Sequence, residues 1–148
     1  MAMFSSIVVG TDGSETAEIA LKRAVELAAL TGAKLHVVSA YEPSPARVGG
    51  NKPVAEAAAW SVGSDFKVDA VLQRARDTAR GGGGGVEVEV HAPKGDAADA
   101  LIKAAEEHDA GVIVLGSRGM RGARRVLGSV PNKVSHNAPC DVLIVHTT

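Results

Sequence analysis

The sequence predicts an α/β domain: one open, doubly wound, mostly parallel sheet of five strands in the order 3-2-1-4-5, with helices on both faces. Three observations carry this expectation. Short β-branched runs alternate with segments whose small apolar residues recur at helical spacing. Two of those runs, beginning at Ile7 and Val112, end on glycine at Gly10 and Gly116. Aromatic residues make up only 3%, so a core must be built from Val, Ile, Leu and Ala, as in strands buried on both faces.

Each element has its own signal. Ile7-Val8-Val9 is a buried strand, and Thr11-Asp12-Gly13 turns into a helix carrying Ala17, Ala20, Leu21, Ala24 and Ala28. Glu18 and Lys22 pair across one turn of its outer face, and Gly32 stands where a left-handed cap residue ends a helix. Leu35 to Tyr41 gives the second strand. Glu42 to Pro53, with three prolines and Gly49-Gly50, predicts an irregular loop, and Ala55 to Trp60 a short helix. Val68, Val71, Leu72, Ala75 and Ala79 mark the second main helix, ended by the glycine run from Gly81 to Gly85. Val86 to Val90 alternates strictly, as a strand with one wet face does. Asp96 predicts an N-cap for a third helix with Ala98, Leu101, Ile102, Ala105 and His108. Val112 to Leu115 is the fourth strand, a helix starts near Ser129, and Val142 to Val145 closes the sheet as the fifth strand.

Composition narrows the function classes. The 148 residues suit one domain with a sizeable core, spanning residues 1–148. A net charge of −1 argues against nucleic-acid or membrane-surface partners, and no apolar run approaches the ~20 residues that cross a bilayer. The amino-terminal residues lack a positive region, so no signal peptide is expected, and the single cysteine, Cys140, excludes an internal disulfide. Together these predict a cytoplasmic protein.

In such a Rossmann-like sheet, ligands bind beyond the carboxyl ends of the strands where the winding reverses, which for this order lies between strands one and four. The glycine-marked loops of this chain follow those two strands. Glycines occupy 116, 119, 122 and 128, and Ser129 opens a helix whose free amides favour phosphate. Pro131 is compatible with a first helical turn. Between Ala110 and Cys140 lie Arg118, Arg121, Arg124, Arg125 and Lys133 with no acidic residue, a local positive field. A glycine-rich turn before a solvated basic helix would share these features; the position after strand four favours a phosphate site.

The motifs Val8-Val9-Gly10-Thr11-Asp12-Gly13-Ser14, Gly116-Ser117-Arg118-Gly119 with Gly128-Ser129, and the ending from Ala138 to Val145 resemble the ATP-binding branch of the universal stress protein family. The resemblance spans essentially the whole chain and is weakest from Pro43 to Gly85. It implies a stress-response homodimer that binds ATP or another adenine nucleotide, with Mg²⁺ or Mn²⁺ as a companion ion. It places phosphate and ribose at Gly116, Arg118, Gly119, Gly128 and Ser129, and phosphate also at the amide of Val130. Ribose hydroxyls fall to Asp12, with Gly10 and Thr11 beside it and Thr11 near adenine; the backbone of Ala40 meets adenine. Residues 120–127 are one fewer than the family pattern between its second and third glycines, which puts the phosphate end in question.

Other assignments weigh against these. Asp12 can cap the first helix, although Ser14 is also available. The histidines at 36, 91, 108, 136 and 146 lack paired ligand spacing, so no metal site is expected. Cys140 reads as a packed thiol and Trp60 as a loop anchor. No Walker loop, dinucleotide fingerprint or nucleophile elbow is present. Binding without rapid turnover is therefore expected, with slow ATP hydrolysis or phosphate transfer, a cyclic-AMP binder, and a dimeric module without nucleotide as alternatives. The edge strand Val142 to Val145, free of Lys and Pro, is the expected dimer seam.

Overall fold

A computed structural model describes residues 4–41, 69–82, 85–117 and 129–147. The expected loop at 42–53, the short helix at 55–60, and Arg118, Gly119 and Gly128 lie outside the described residues. The elements run β1 (Ser6–Gly10), α1 (Glu15–Thr31), β2 (Lys34–Val38), α2 (helical over residues 69–81), β3 (Val88–His91), α3 (Ala97–Glu107), β4 (Val112–Gly116), α4 (Ser129–Asn137) and β5 (Asp141–Val145). The sheet order is β3-β2-β1-β4-β5 and every pairing is parallel, as expected.

The helices divide between the two faces, and the alternation along the strands decides which core each residue joins. Ile7, Val9, Leu35, Val37, Val112 and Val114 pack with Leu21, Ala24 and Val25 of α1 and Leu72, Ala75 and Ala79 of α2. Val8, Val38, Ile113 and Leu115 point the other way, onto Leu101 and Ala105 of α3 and Val134 of α4. The middle strands β1 and β4 are covered on both sides, which is why their sequences are unbroken apolar runs. Alanines along α1 and α3 let these helices sit close to the sheet.

The caps follow the sequence. Ser14 accepts the Ala17 amide as N-cap of α1, and Gly32 ends that helix at φ 74°, its N–H donating to the Ala28 carbonyl. Asp96 caps α3 by accepting the Asp99 amide at 3.0 Å. Two strand limits differ from expectation. The second strand ends its ladder at Val38, with Tyr41 making an isolated parallel bridge to Lys94. The third begins at Val88 and extends to His91, because β2 sets the ladder: Val38 lies opposite His91.

Candidate functional site

The loops leaving β1 and β4 are built by local hydrogen bonds that fix the carboxyl edge of the sheet. Gly10 ends β1, where a Cβ would lie 3.0 Å from Leu101 Cδ1 and 3.1 Å from Leu115 Cδ2. Glycine there lets α3 close against the strand end. The Thr11 N–H donates to the Val38 carbonyl at 3.0 Å, tying the loop to the end of β2. Thr11 Oγ1 accepts the Gly13 amide at 3.1 Å, and Asp12 Oδ1 accepts the Ser14 amide at 2.9 Å. Ser14 is the helix cap, so capping α1 is not the work of Asp12; its exposed carboxylate only closes the turn before the cap. Gly13, at φ +84°, makes that turn possible.

Ala40 follows β2 and packs, half-buried, against the core beneath α3. The flanking backbone is held rigidly: Ser39 N–H donates to the His91 carbonyl at 3.0 Å and Tyr41 N–H to the Pro93 carbonyl at 3.1 Å. Gly116 ends β4 opposite Val145, and the next residue is pinned to β5. The Ser117 N–H donates to the Val145 carbonyl at 2.8 Å, and Ser117 Oγ accepts the Thr147 N–H at 3.3 Å.

Ser129 opens α4 and is exposed, while the Val130 side chain packs inward against the core. Val130 thus offers its backbone rather than its side chain at the helix start, where amides lack intrahelical partners. The middle of α4 is tied to the α3 start, since Lys133 Nζ meets Asp96 at 3.2 Å and Asp99 at 3.0 Å. The Asp99 amide, and then the Lys133 ammonium, hold the Asp96 carboxyl below the usual carboxylate range. Gly10, Thr11, Asp12, Ala40 and Gly116 therefore share the carboxyl edge, and Ser129 and Val130 begin the helix that returns from it. Arg118, Gly119 and Gly128 belong to the stretch outside the described residues.

A second cluster was not anticipated from histidine spacing. His36 of β2, Glu89 and His91 of β3 and His108, the C-cap of α3, gather on the α3 side of the sheet. The register sets His36 beside Glu89 and Val38 beside His91. Burial first, then the neighbouring His108 and His91 imidazoles, push His36 down to about 4, so it is neutral near pH 7. Lys34 donates to Glu89 Oε2 at 3.1 Å and holds that carboxyl below its ordinary range. The legible signal was Glu89-x-His91, two ligand-type side chains on one face of a strand.

Comparison with known proteins decides the family. The family model described as the universal stress protein family matches residues 3–146. The chain belongs to the universal stress protein family. A universal stress protein of Mycobacterium tuberculosis (strain H37Rv) is 37% identical over 151 residues, covering 100% of both chains. The universal stress protein YxiE of Bacillus subtilis is 33% identical over 149 residues, covering 97% of this chain and 99% of its own. Among solved structures, a universal stress protein in complex with cAMP superposes with a TM-score of 0.76 at 34% identity, over 100% of both chains. One from Archaeoglobus fulgidus in complex with dAMP gives a TM-score of 0.67 at 29% identity, over 94% of this chain and 95% of that chain. As a universal stress protein, the chain shares the parallel α/β architecture of these relatives, and among its described residues no helix is long and apolar enough to cross a membrane.

Proposed function

We propose that this universal stress protein is a regulatory adenine-nucleotide-binding protein whose ligand spans the carboxyl edge of the sheet between the loops after β1 and β4. The observation that carries this reading is topological. The chain winds outward from β1 to β2 and β3, then returns to place β4 on the other side of β1. The crevice at that reversal is where open α/β sheets bind ligands, and both loops bordering it leave on glycine, at Gly10 and Gly116.

Within that crevice the exposed Asp12 carboxylate is assigned to ribose hydroxyls. Thr11 and the backbone of Ala40 are assigned to adenine. Gly116, Arg118, Gly119, Gly128, Ser129 and the amide of Val130 are assigned to phosphate. The relatives solved with cAMP and dAMP support an adenine nucleotide. ATP, with Mg²⁺ or Mn²⁺, is the occupant assigned first. Cyclic AMP is the second reading, favoured by the cAMP-bound relative and by the short stretch at residues 120–127. The protein is further assigned to the cytoplasm and to a homodimer joined along β5, an edge strand whose Leu143 is 38% exposed.

Calorimetric titration of one preparation with ATP, AMP and cAMP, with and without Mg²⁺, tests the reading. ATP is expected to bind once per chain and Gly128→Arg to abolish binding. Tighter binding of cAMP moves the assignment to the second reading, and no binding of any of the three overturns both. Phosphate release near a typical enzymatic ~10 s⁻¹ would replace binding with catalysis. Sedimentation of the same sample should give a dimer that Leu143→Lys converts to a monomer; a monomeric wild type overturns the β5 assignment.

A further inference from the structure

We propose that His36, Glu89, His91 and His108 form a site for one transition-metal dication, with three imidazole nitrogens and one carboxylate oxygen as donors. It lies midway along β2 and at the end of β3, under α3 and on the far side of β2 from the loops after β1 and β4. The distant strand β2 converges there with the consecutive elements β3 and α3, and the parallel register with the end of α3 aligns them.

The donor geometry is that of a coordination polyhedron. His36 Nδ1 and His91 Nε2 are 3.1 Å apart, His91 Nε2 and Glu89 Oε1 3.1 Å, and His36 Nδ1 and Glu89 Oε1 3.7 Å. A tetrahedral ion with metal–ligand distances of about 2.0–2.1 Å places its donors about 3.3–3.4 Å apart, so the triangle is already near size. One donor atom from each of the four residues lies within 4.8 Å of every other. The His108 ring lies against both other imidazoles, 4.0 Å from His36 and 4.9 Å from His91 between centroids, and supplies the fourth donor.

Hydrogen bonding serves this arrangement poorly. His91 Nε2 faces both the Glu89 oxygen and His36 Nδ1, yet carries at most one proton. If that proton goes to Glu89, the lone pair or the N–H of His36 at 3.1 Å is left without a proper partner. If His36 donates instead, the carboxylate confronts a nitrogen lone pair at the same distance. A cation satisfies all three atoms at once. His36 is only 3% exposed, in a sheet face otherwise lined by Val8, Val38 and Ile113, where an ill-satisfied polar group is costly.

The surroundings fit as well. Lys34 takes Glu89 Oε2 at 3.1 Å and aims Oε1 at the imidazoles, the carboxylate-orienting contact that metal sites use. His91 and His108 also line an open cleft of about 700 Å³ bordered by Lys103 and Glu107, which gives an entry path. Nitrogen-rich donors select zinc-like ions over Mg²⁺ or Ca²⁺, which take oxygen ligands. Four protein donors make a closed site, so its role is structural or storage rather than catalytic.

The test uses the whole chain, freed of metal by chelator and assayed without nucleotide, so its outcome is independent of the nucleotide reading. Zn²⁺ titration against a chromogenic chelator should give one ion per chain, and Co²⁺ should give the visible absorption of a four-coordinate site. His91→Gln and Glu89→Gln, on the partly exposed edge strand, should lose the ion while keeping the circular dichroism of wild type. Lys34→Met should weaken binding about 10–100-fold. His136→Gln and Cys140→Ser should bind as wild type. Absence of stoichiometric Zn²⁺, binding that survives both β3 variants, or binding lost with Cys140→Ser overturns the proposal.

Discussion

Asp12 is the residue at which stability and ligand binding separate most cleanly. Its Oδ1 accepts one backbone amide, that of Ser14 at 2.9 Å. The rest of the turn is held independently by the Thr11 amide on Val38, Thr11 Oγ1 on the Gly13 amide, and the Ser14 cap on Ala17. Asp12→Ala removes one exposed side chain–backbone bond, for which water substitutes, so its cost falls at the lower end of about 0.5–1.5 kcal/mol. A carboxylate has room for further donors. If it holds ribose hydroxyls, the same change removes a charge-assisted bond of about 1.5–3 kcal/mol, a ~10–150-fold rise in Kd. Asp12→Asn keeps the acceptor for Ser14 and discards the charge, so its stability should match wild type while affinity falls partway. Ser14→Ala is the converse, costing about 1 kcal/mol of stability through the lost cap with little effect on affinity. Urea unfolding without ligand and calorimetry with ATP, at one fixed salt concentration, measure the two quantities. Affinity of Asp12→Ala within twofold of wild type refutes the ribose role.

Two further changes probe the scaffold. Gly13→Ala places a Cβ at φ +84° and 2.6 Å from Val71 Cγ2, combining a left-handed strain of about 1–2 kcal/mol with overpacking of about 1–3 kcal/mol. Adding Val71→Ala should recover the second part only, and equal midpoints for the two variants in urea would contradict the contact. At Asp96, the folded carboxyl titrates below its unfolded value near ~3.9. Its stabilisation is therefore present above about pH 4 and lost as pH falls through the folded value. Asp96→Ala should cost about 1 kcal/mol at pH 7, mainly through the lost cap, and less once the carboxyl is protonated in both folded and unfolded chains. Lys133 is raised by Asp99 and Asp96, so its contribution holds below about pH 10 and fades as pH rises through its folded value. A pH-independent penalty for Asp96→Ala in thermal unfolding would contradict this account.

What the sequence disclosed was local, and what it withheld depended on pairing. Uninterrupted apolar runs named β1 and β4 because both faces of those strands are buried. Gly32 and Asp96 named their helix limits because a cap acts within one turn. The limits of β2 and β3 could not be named in the same way. The strict alternation from Val86 begins before the ladder, which runs only where β2 offers partners. The two glycine-ended loops were legible because topology brings them together, whereas the individual assignments of Asp12, Thr11, Ala40 and Val130 rested on the family resemblance. The histidine cluster was not, since it needs the β2–β3 register and the length of α3 to bring His36, His91 and His108 within reach.

Helix α3 joins both regions, and this governs which variants can tell them apart. Its Leu101 lies against Gly10 at the strand end proposed for nucleotide, while its C-cap His108 stacks on His36 in the histidine cluster. A substitution at Gly10 presses on the Leu101 side chain of the helix that His108 caps. Replacing His108 in turn removes the ring that packs on His36 and His91 at the end of α3, although the backbone N–H on the Ala104 carbonyl remains. Effects at either position therefore reach the other site through packing alone. Asp12, exposed on a loop held by other bonds, and Glu89, paired with Lys34, His36 and His91 on β2 and β3, leave α3 untouched. The His91 ring, by contrast, lies 4.9 Å from that of His108. Changes in nucleotide affinity from Asp12, and in metal affinity from Glu89, are thus the ones that report on a single site.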